Sequence, residues 1–549
     1  MAKGYRPVDR DQQFLMPPDM REWLPADHPV WLVIAAVGQL DTSAVHAHRR
    51  TGGVGRAGYH PDMLLTLLMW AWAQGVRSSR RIERACEQDV AFRVICAGDV
   101  PDHVTISRFR AEAAASMESV FEQVLILCAT LGMAGLGVVA LDGVKIGSNA
   151  SMSANRTEEG LVKAGQDERD RQAAAAVAAR AAAREAAAEH AAADAADDDL
   201  FGPDDRGDQV PPDAVDPSSR EIRIAAALAD LQAEKDAEQA AAKAKGDAYL
   251  ALRESGHTVQ GSRPPPGVDV QIARDRLARA IAEREEFIAD YWRRRRAAEA
   301  AGTRNWGRLP RPVEQHQGVI RCRARLAKAE ARQAKRDAAQ AKSRRVRNTT
   351  DPESRMMPLR GGGWLQGYNC QAVTSTDGLI IAVSVNNNPS DVITYIQMTD
   401  AAVKAAELID QHRPTGTGIG IMVSDAGYLS AENLTAPGPD RLIAVGKAYA
   451  VELDARTNPE QGPPPDTTDP IEAMGHRLRT PEGIATYRQR SHIAETPFGH
   501  GKHNLGFRRF TGRGLIRAAA EWNFHGAVHN LFKAISTGHL TPATYPNTG

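Results

Sequence analysis

Residues 157–347 set the limits on any fold for this chain. They contain the Ala-rich run "RQAAAAVAARAAAREAAAEHAAADAADDD", an acidic Pro/Gly stretch, and three segments rich in Ala, Arg and Glu. These last are "EIRIAAALADLQAEKDAEQAAAKAKGDAYLALRES", "VQIARDRLARAIAEREEFIADYWRRRRAAEAAG" and "RCRARLAKAEARQAKRDAAQAKSRRVR". Bare loops beyond about 15 residues are uncommon inside compact domains, so the stretch is expected to be a helical excursion inserted into another domain. Its large apolar residues are sparse, which predicts thin helix-on-helix packing, and the acidic linker at 197–219 is expected to be disordered.

On both sides of the excursion the pattern changes to strands. "LGVVALDGVKIGSNAS" has β-branched residues bounded by glycines and reads as a strand with Asp142 inside it. After the excursion, "GYNCQAVTST" and "GLIIAVSVNN" flank Asp377-Gly378, a hairpin-like turn. Residues 390–412 read as a helix with Ser390 as its cap, and "GIGIMVSDAGY" and "RLIAVGKAYA" read as two further strands. The order implies an α/β fold, a mixed sheet layered by helices.

Residues 1–130 read as helical. "PDMLLTLLMWAWAQGV" is apolar nearly all round, as a buried helix should be. The following "RSSRRIERACEQ" and "VPDHVTISRFR" suggest a helix-turn-helix in which Arg80, Arg81 and Arg108 meet DNA; a solvated basic face is the equal alternative.

The 68 basic and 68 acidic residues cancel, so only local charge can point to a partner. Five scattered cysteines without a CxxC pair argue against a disulfide framework or zinc ribbon. With no signal-peptide pattern and no run of about 18 apolar residues, a cytoplasmic protein without a membrane segment is expected. Local charge is concentrated at 486–520, which holds Arg488, Arg490, Lys502, Arg508, Arg509, Arg513 and Arg517 with His492, His500 and His503. Such a strip reads as a phosphate-binding surface, yet Glu495 stands in its middle.

Asp142 in "VVALDGVKIG" and Asp425 in "IMVSDAGY" share a setting: each follows an apolar strand and precedes a small residue or glycine. Each alone reads equally as a turn opener. Grouped with Glu495 they suggest more, because carboxylates held close together repel unless a cation sits among them. All-oxygen sites suit Mg²⁺, with Mn²⁺ able to substitute. Two such ions can activate a water or 3′-hydroxyl and stabilise the leaving oxygen of a phosphodiester.

"LDGVKIGSNAS", "GWLQGYNCQAV", "VSDAGYLSAENL" and "AETPFGHGKHNLGFRRFTGRG" resemble, in that order, the motifs of the DDE transposases of bacterial insertion sequences, nearest to the IS1182 branch of the IS4/IS5-like group. The resemblance implies a ribonuclease-H-like core at 131–156 and 348–535, behind a helical N-terminal domain at 1–130 and interrupted by the insertion at 157–347. Residues 536–549 form a C-terminal tail. It implies Asp142, Asp425 and Glu495 as the catalytic, metal-binding triad. Lys502, His503, Arg508, Arg509, Arg513 and Arg490, with Arg80, Arg81 and Arg108, are then expected to bind DNA. The acidic-helix signature Tyr-x2-Arg-x3-Glu-x6-Lys is met at Glu495 and Lys502, while Tyr487 and Arg490 stand one residue further from the Glu than the signature has them. Seven residues make about two helical turns, so Glu495 and Lys502 are expected on one face.

The implied function is a transposase acting on double-stranded DNA, both terminal inverted repeats and target, as a homodimer. A nuclease that cuts without joining and a transposase-derived DNA-binding protein are the alternatives. The Arg-rich end of the insertion, including Arg321, Arg323, Arg325 and Lys328, reads either as a DNA contact or as a solvated helix face.

Overall fold

The computed structural model describes residues 19–47, 58–171, 174, 220–255, 264–265, 267–303, 308–341, 345–359, 361–413, 416, 418–464 and 469–542. The acidic linker at 197–219 and most of the Ala-rich run before it lie outside the described residues. The chain divides into two compact units, Met1–Asn155 with Asn348–Gly549, and Arg156–Arg347.

The first unit is built on a six-stranded mixed sheet. We label its strands β1 (Val138–Gly147), β2 (Arg355–Pro358), β3 (Trp364–Ser375), β4 (Ile380–Asn386), β5 (Ile421–Ser424) and β6 (Asp440–Ile443). Along the sheet the order is β2-β3-β1-β5-β6, and β4 also pairs with β3. β1 runs antiparallel to β3, parallel to β5, and β5 parallel to β6. The hairpin between β3 and β4 turns at Asp377-Gly378, where Gly378 has φ +82°, a left-handed conformation that glycine adopts without strain. The segment read as the last strand stops at Ile443, because β5 offers it only four residues to pair with; Ala448–Thr457 is a helix. The helix expected from Ser390 begins at Tyr395 instead, after a 3-10 turn at Val392–Thr394.

Two layers cover the sheet. Val139, Leu141 and Met422 join the larger core with Tyr395, Met398, Ala402 and Ile409 of helix Tyr395–Gln411. On the other face Ala140, Val423 and Leu442 meet Ile484, Tyr487, Ile493 and Ala494 of helix Pro481–Gly499. N-terminal helices continue the larger core. Pro61–Ala73 buries Leu64, Leu65, Leu67, Leu68, Met69, Trp70 and Trp72, and Met117–Thr130 buries Val120, Phe121, Val124 and Leu125. The run His103–Thr130 is apolar enough over 18 residues to resemble a membrane span, but 56% of that window is buried inside the protein. Cys86, Cys96, Cys128 and Cys370 are buried free thiols, and Cys322 is half-buried.

The last helix, Leu515–Ser536, ties these layers together. The Asn530 side chain accepts from Ile380 N–H (2.8 Å) and donates to Ile380 C=O (2.7 Å), satisfying backbone on the outer strand β4. Trp522 Nε1 donates to Gln371 O at 2.9 Å. His529 donates through Nε2 to Gly378 O at 2.9 Å, with its Nδ1 3.4 Å from His500 Nδ1, while His525 is held between Trp72, Phe507 and Trp522.

Burial drives His529 down to about 4 and His525 well below its ordinary value of 6.5. Between about pH 4 and pH 6.5 the unfolded chain therefore binds protons that the folded chain refuses. Stability is fully retained above that window and lost as pH falls through it, by up to about 1.4 kcal/mol per pH unit for each histidine. Denaturant midpoints measured at pH 7 and pH 5 should differ accordingly, and His529→Gln should reduce the difference; an equal midpoint at both pH values would contradict this account.

The second unit is helical: 158–171, Arg220–Glu254, Val268–Ala300 and Gln317–Ala341. Its apolar contacts are small. Leu161 meets Ile224, Ala227 and Leu231, and Val270 and Ala273 meet Ala329. Ion pairs supplement them: Arg336 with Asp269 at 2.9 Å, and Arg347 with Asp230 at 2.5 Å. Arg321, Arg323, Arg325 and Lys328 are exposed.

Candidate active site

β1 outruns its neighbour. Its parallel register with β5 ends at Leu141 opposite Ser424, so Asp142 and Asp425 are the next residues on two adjacent strands. Asp425 keeps an extended backbone (φ −81°, ψ 174°) and caps the short turn Ala426–Tyr428, accepting from Gly427 N–H at 2.9 Å. Side chains at matched positions of parallel strands share a face. Both carboxylates therefore stand on the face covered by helix Pro481–Gly499, at the carboxyl end of the parallel strands, where sites collect in α/β sheets.

Helix Pro481–Gly499 starts from a Thr480 cap, whose hydroxyl accepts from Gly483 N–H at 3.1 Å, with Pro481 as its first residue. Its buried stripe presses on the sheet and carries Arg490, which is only 7% exposed. Arg490 Nη1 donates to Asp142 Oδ2 at 3.3 Å, and its Nη2 lies 4.0 Å from Glu495 Oε1. Burial disfavours the guanidinium charge, but Asp142, Tyr487 and Asp425 outweigh it and raise the Arg490 pKa. Asp142 also accepts from Gly143 N–H at 2.8 Å. Its side chain is 10% exposed, whereas that of Glu495 is 64% exposed. Asp142, from the middle of β1, and Glu495, from the helix, both lie beside the buried Arg490, and Asp425, just past the end of β5, adds to the charge around it. Arg490, grouped by sequence with the DNA-facing cations, is placed among the carboxylates.

The helix does not continue straight to Lys502. Pro497 lies inside it, removing one backbone donor, and the chain widens into a π-helical turn at His500–Asn504. The common face expected for Glu495 and Lys502 assumed uniform α-helical turns, and here the two are joined through a π turn instead. Lys502 is half-buried; burial pushes the Cys370 thiol, paired with Val144 two residues past Asp142, well above its ordinary value, with Lys145 and then Lys502 opposing that push in part.

Beyond the π turn the basic strip runs beside the end of β1. Gly147 N–H donates to Arg508 O at 3.1 Å and Phe510 N–H to Gly147 O at 2.8 Å. This fixes Arg508 and Arg509 on the strand edge five positions past Asp142. Phe507 and Phe510 point into the core; His503, Arg508, Arg509 and Arg513 are exposed.

In the N-terminal region Arg80 and Arg81 on Ser79–Gln88 and Arg108 on His103–Glu112 are exposed. The second helix starts as expected, with Asp102 accepting from Val104 and Thr105 N–H, and His103 meets Glu83 of the first at 2.9 Å. A short helix, Val90–Ile95, lies between them.

One group beside the site escaped the sequence reading. Asp391 Oδ1 accepts from Lys145 (2.9 Å), Asn369 (2.8 Å) and Gln371 (2.9 Å). A side chain on Gly427 would meet Asp425 Oδ1 at 2.9 Å and Asp391 Oδ2 at 3.6 Å, so glycine keeps room between the two carboxylates. Polar residues at alternate positions of otherwise apolar strands were the available signal.

Comparison with known families bears on this arrangement from both ends of the first unit. Residues 18–112 match the family described as Transposase domain (DUF772), and residues 464–535 match Transposase DDE domain. Both matches are to transposase domains and are consistent with a DDE transposase of an insertion sequence. The second match contains Glu495, Arg490 and the whole basic strip at 486–520, while Asp142 and Asp425 lie outside it. No curated protein and no solved structure shows a significant match to the chain. DDE transposases act on DNA and use divalent metal ions, so the carboxylates and the cations beside them are the parts to explain.

Proposed function

We propose that this transposase belongs to the IS1182 branch and uses Asp142, Asp425 and Glu495 as its catalytic, metal-binding triad. It binds the terminal inverted repeats of its element, hydrolyses phosphodiesters to free 3′-hydroxyls, and joins them to target DNA. The observation that carries the reading is the parallel register that sets Asp142 beside Asp425, with Arg490 bridging from Asp142 toward Glu495.

The donor set fits Mg²⁺ or Mn²⁺, being all carboxylate oxygen. Carboxylates that share a site need positive charge, and Arg490 lies beside Asp142 and Glu495, although the oxygens of Asp142, Asp425 and Glu495 are not all within 4.8 Å of one another. When bound, the ions supply activation of a water or 3′-hydroxyl and neutralise charge at the leaving oxygen. Asp142 and Asp425 hold one side of that site from rigid strands, and Glu495 closes it from the solvent side. Lys502, His503, Arg508, Arg509 and Arg513 hold the DNA backbone along the edge of β1, and Arg490 keeps the carboxylates in place. Arg80, Arg81 and Arg108 bind the duplex ends.

The ribonuclease-H-like reading of the core is supported by the sheet order: β1 central, parallel β5 and β6 on one side, antiparallel β3 and β4 on the other. We assign 1–130 as the DNA-binding domain, 131–156 and 348–535 as the catalytic core, 157–347 as the insertion and 536–549 as the tail. A homodimer in the cytoplasm is the working form.

The test uses duplex oligonucleotides carrying the short inverted repeats that flank the gene. With Mg²⁺ the protein should release 3′-hydroxyl ends and form joined product with a second duplex. Cutting without joining would make it a nuclease, and binding without cutting in either Mg²⁺ or Mn²⁺ would overturn the catalytic reading.

A further inference from the structure

The loop that carries the basic strip is held by side chains from distant parts of the chain. Glu521, on the last helix, accepts from Thr511 N–H at 3.0 Å, Gly512 N–H at 2.6 Å and the Thr511 hydroxyl at 2.6 Å. Arg77 donates to the carbonyls of Gly506 and of Arg509 (3.2 Å), and its guanidinium lies 5.2 Å from the Phe507 ring centre. Arg110 donates to Arg77 O at 2.7 Å and to the Thr511 hydroxyl, and lies 3.9 Å from Glu521. The side chains of Arg110 and Glu521 are 20% and 12% exposed. Desolvating a carboxylate and a guanidinium is costly, so a shielded pair of this kind is weak evidence of a purely stabilising role. A carboxylate beside a phosphate-binding surface is also unfavourable by charge alone.

We propose that Glu521, clamped by Arg110 and Arg77, is a positioning residue for DNA. It fixes the backbone of 506–512 so that Arg508, Arg509 and Arg513 face the phosphates as one preformed surface against Gly147. Preforming the surface avoids the cost of ordering three long side chains and their loop on binding. The proposal rests on the DNA-binding reading above, and Glu521 itself touches no DNA.

The two accounts of Glu521 predict opposite signs. If it is only a nearby negative charge, Glu521→Gln strengthens DNA binding. If it positions the loop, the same change weakens binding and lowers its salt dependence, because fewer arginines reach phosphates. The experiment measures duplex affinity of the full chain across a salt series for wild type, Glu521→Gln and Thr511→Val, with thermal unfolding and amide exchange on each. We expect Glu521→Gln to bind about tenfold more weakly. Its log–log salt slope should flatten by about 0.9 for each arginine that no longer meets a phosphate, up to three, and exchange should quicken at Thr511 and Gly512. Thr511→Val leaves all charges in place and should shift affinity in the same direction by less; it decides the matter if Glu521→Gln does not fold. Tighter or unchanged binding with the wild-type slope in a folded variant overturns the proposal. A wild-type protein with no salt-dependent duplex binding instead overturns the DNA-binding reading on which it stands.

Discussion

Replacing residues 157–347 with a short Gly/Ser linker should leave a folded core that still nicks DNA in the presence of Mg²⁺. The two ends of the segment meet within the first unit. Asn348 donates through Nδ2 to Asn155 Oδ1 at 3.1 Å and to Ser151 O at 2.7 Å, and Thr349 N–H donates to Ala154 O at 3.1 Å. A short linker therefore has little distance to span, and the entropy of closing the original long loop grows only slowly with length. The removed helices hold their own small apolar clusters and ion pairs. Asp142 and Asp425 depend on the β1 and β5 register, whose covering residues all lie in the first unit. The expected result is a cooperative thermal transition within a few degrees of the parent and nicking within about tenfold of it. An unfolded product would show that the insertion belongs to the core and that the proposed boundaries are misplaced.

Much of this was legible in the sequence, for identifiable reasons. β1 and the β3–β4 hairpin announce themselves as apolar runs bounded by glycine, and the insertion by its change of composition. Asp142 and Asp425 were recognisable by their shared context of apolar strand, Asp, then small residue or glycine. Their adjacency was not, because parallel strands are joined by long crossovers and their register is fixed by packing far along the chain.

Arg490 offered a signal that the charge pattern overrode. It stands three residues from both Tyr487 and Ile493, on the buried stripe of its helix, where a cation needs a partner. Grouping it with its basic neighbours followed composition rather than periodicity. The path from Glu495 to Lys502 is less regular than the sequence suggests, because Pro497 is tolerated within the helix and a π turn follows it. Glu521 could not be read at all. Its partners are the Thr511 hydroxyl and the backbone amides of Thr511 and Gly512, which any nearby stretch could offer, and the Arg110 guanidinium some 400 positions earlier in the chain.

The triad is the centre of the account, and single carboxylate-to-amide changes test it. Asp142→Asn, Asp425→Asn and Glu495→Gln each remove one anionic donor while keeping size. Loss of outer partners of a metal site alone costs 10–100-fold, so loss of a direct donor should lower cleavage by more than about 100-fold. DNA affinity should hold, because the basic residues that grip the phosphates supply most of it. The measurement is Mg²⁺-dependent nicking of an inverted-repeat duplex by each variant, beside its affinity for the same duplex. Nicking reduced to background in all three, with binding retained, is the predicted result. Substantial Mg²⁺-dependent nicking by any one of them would remove that residue from the site and contradict the account.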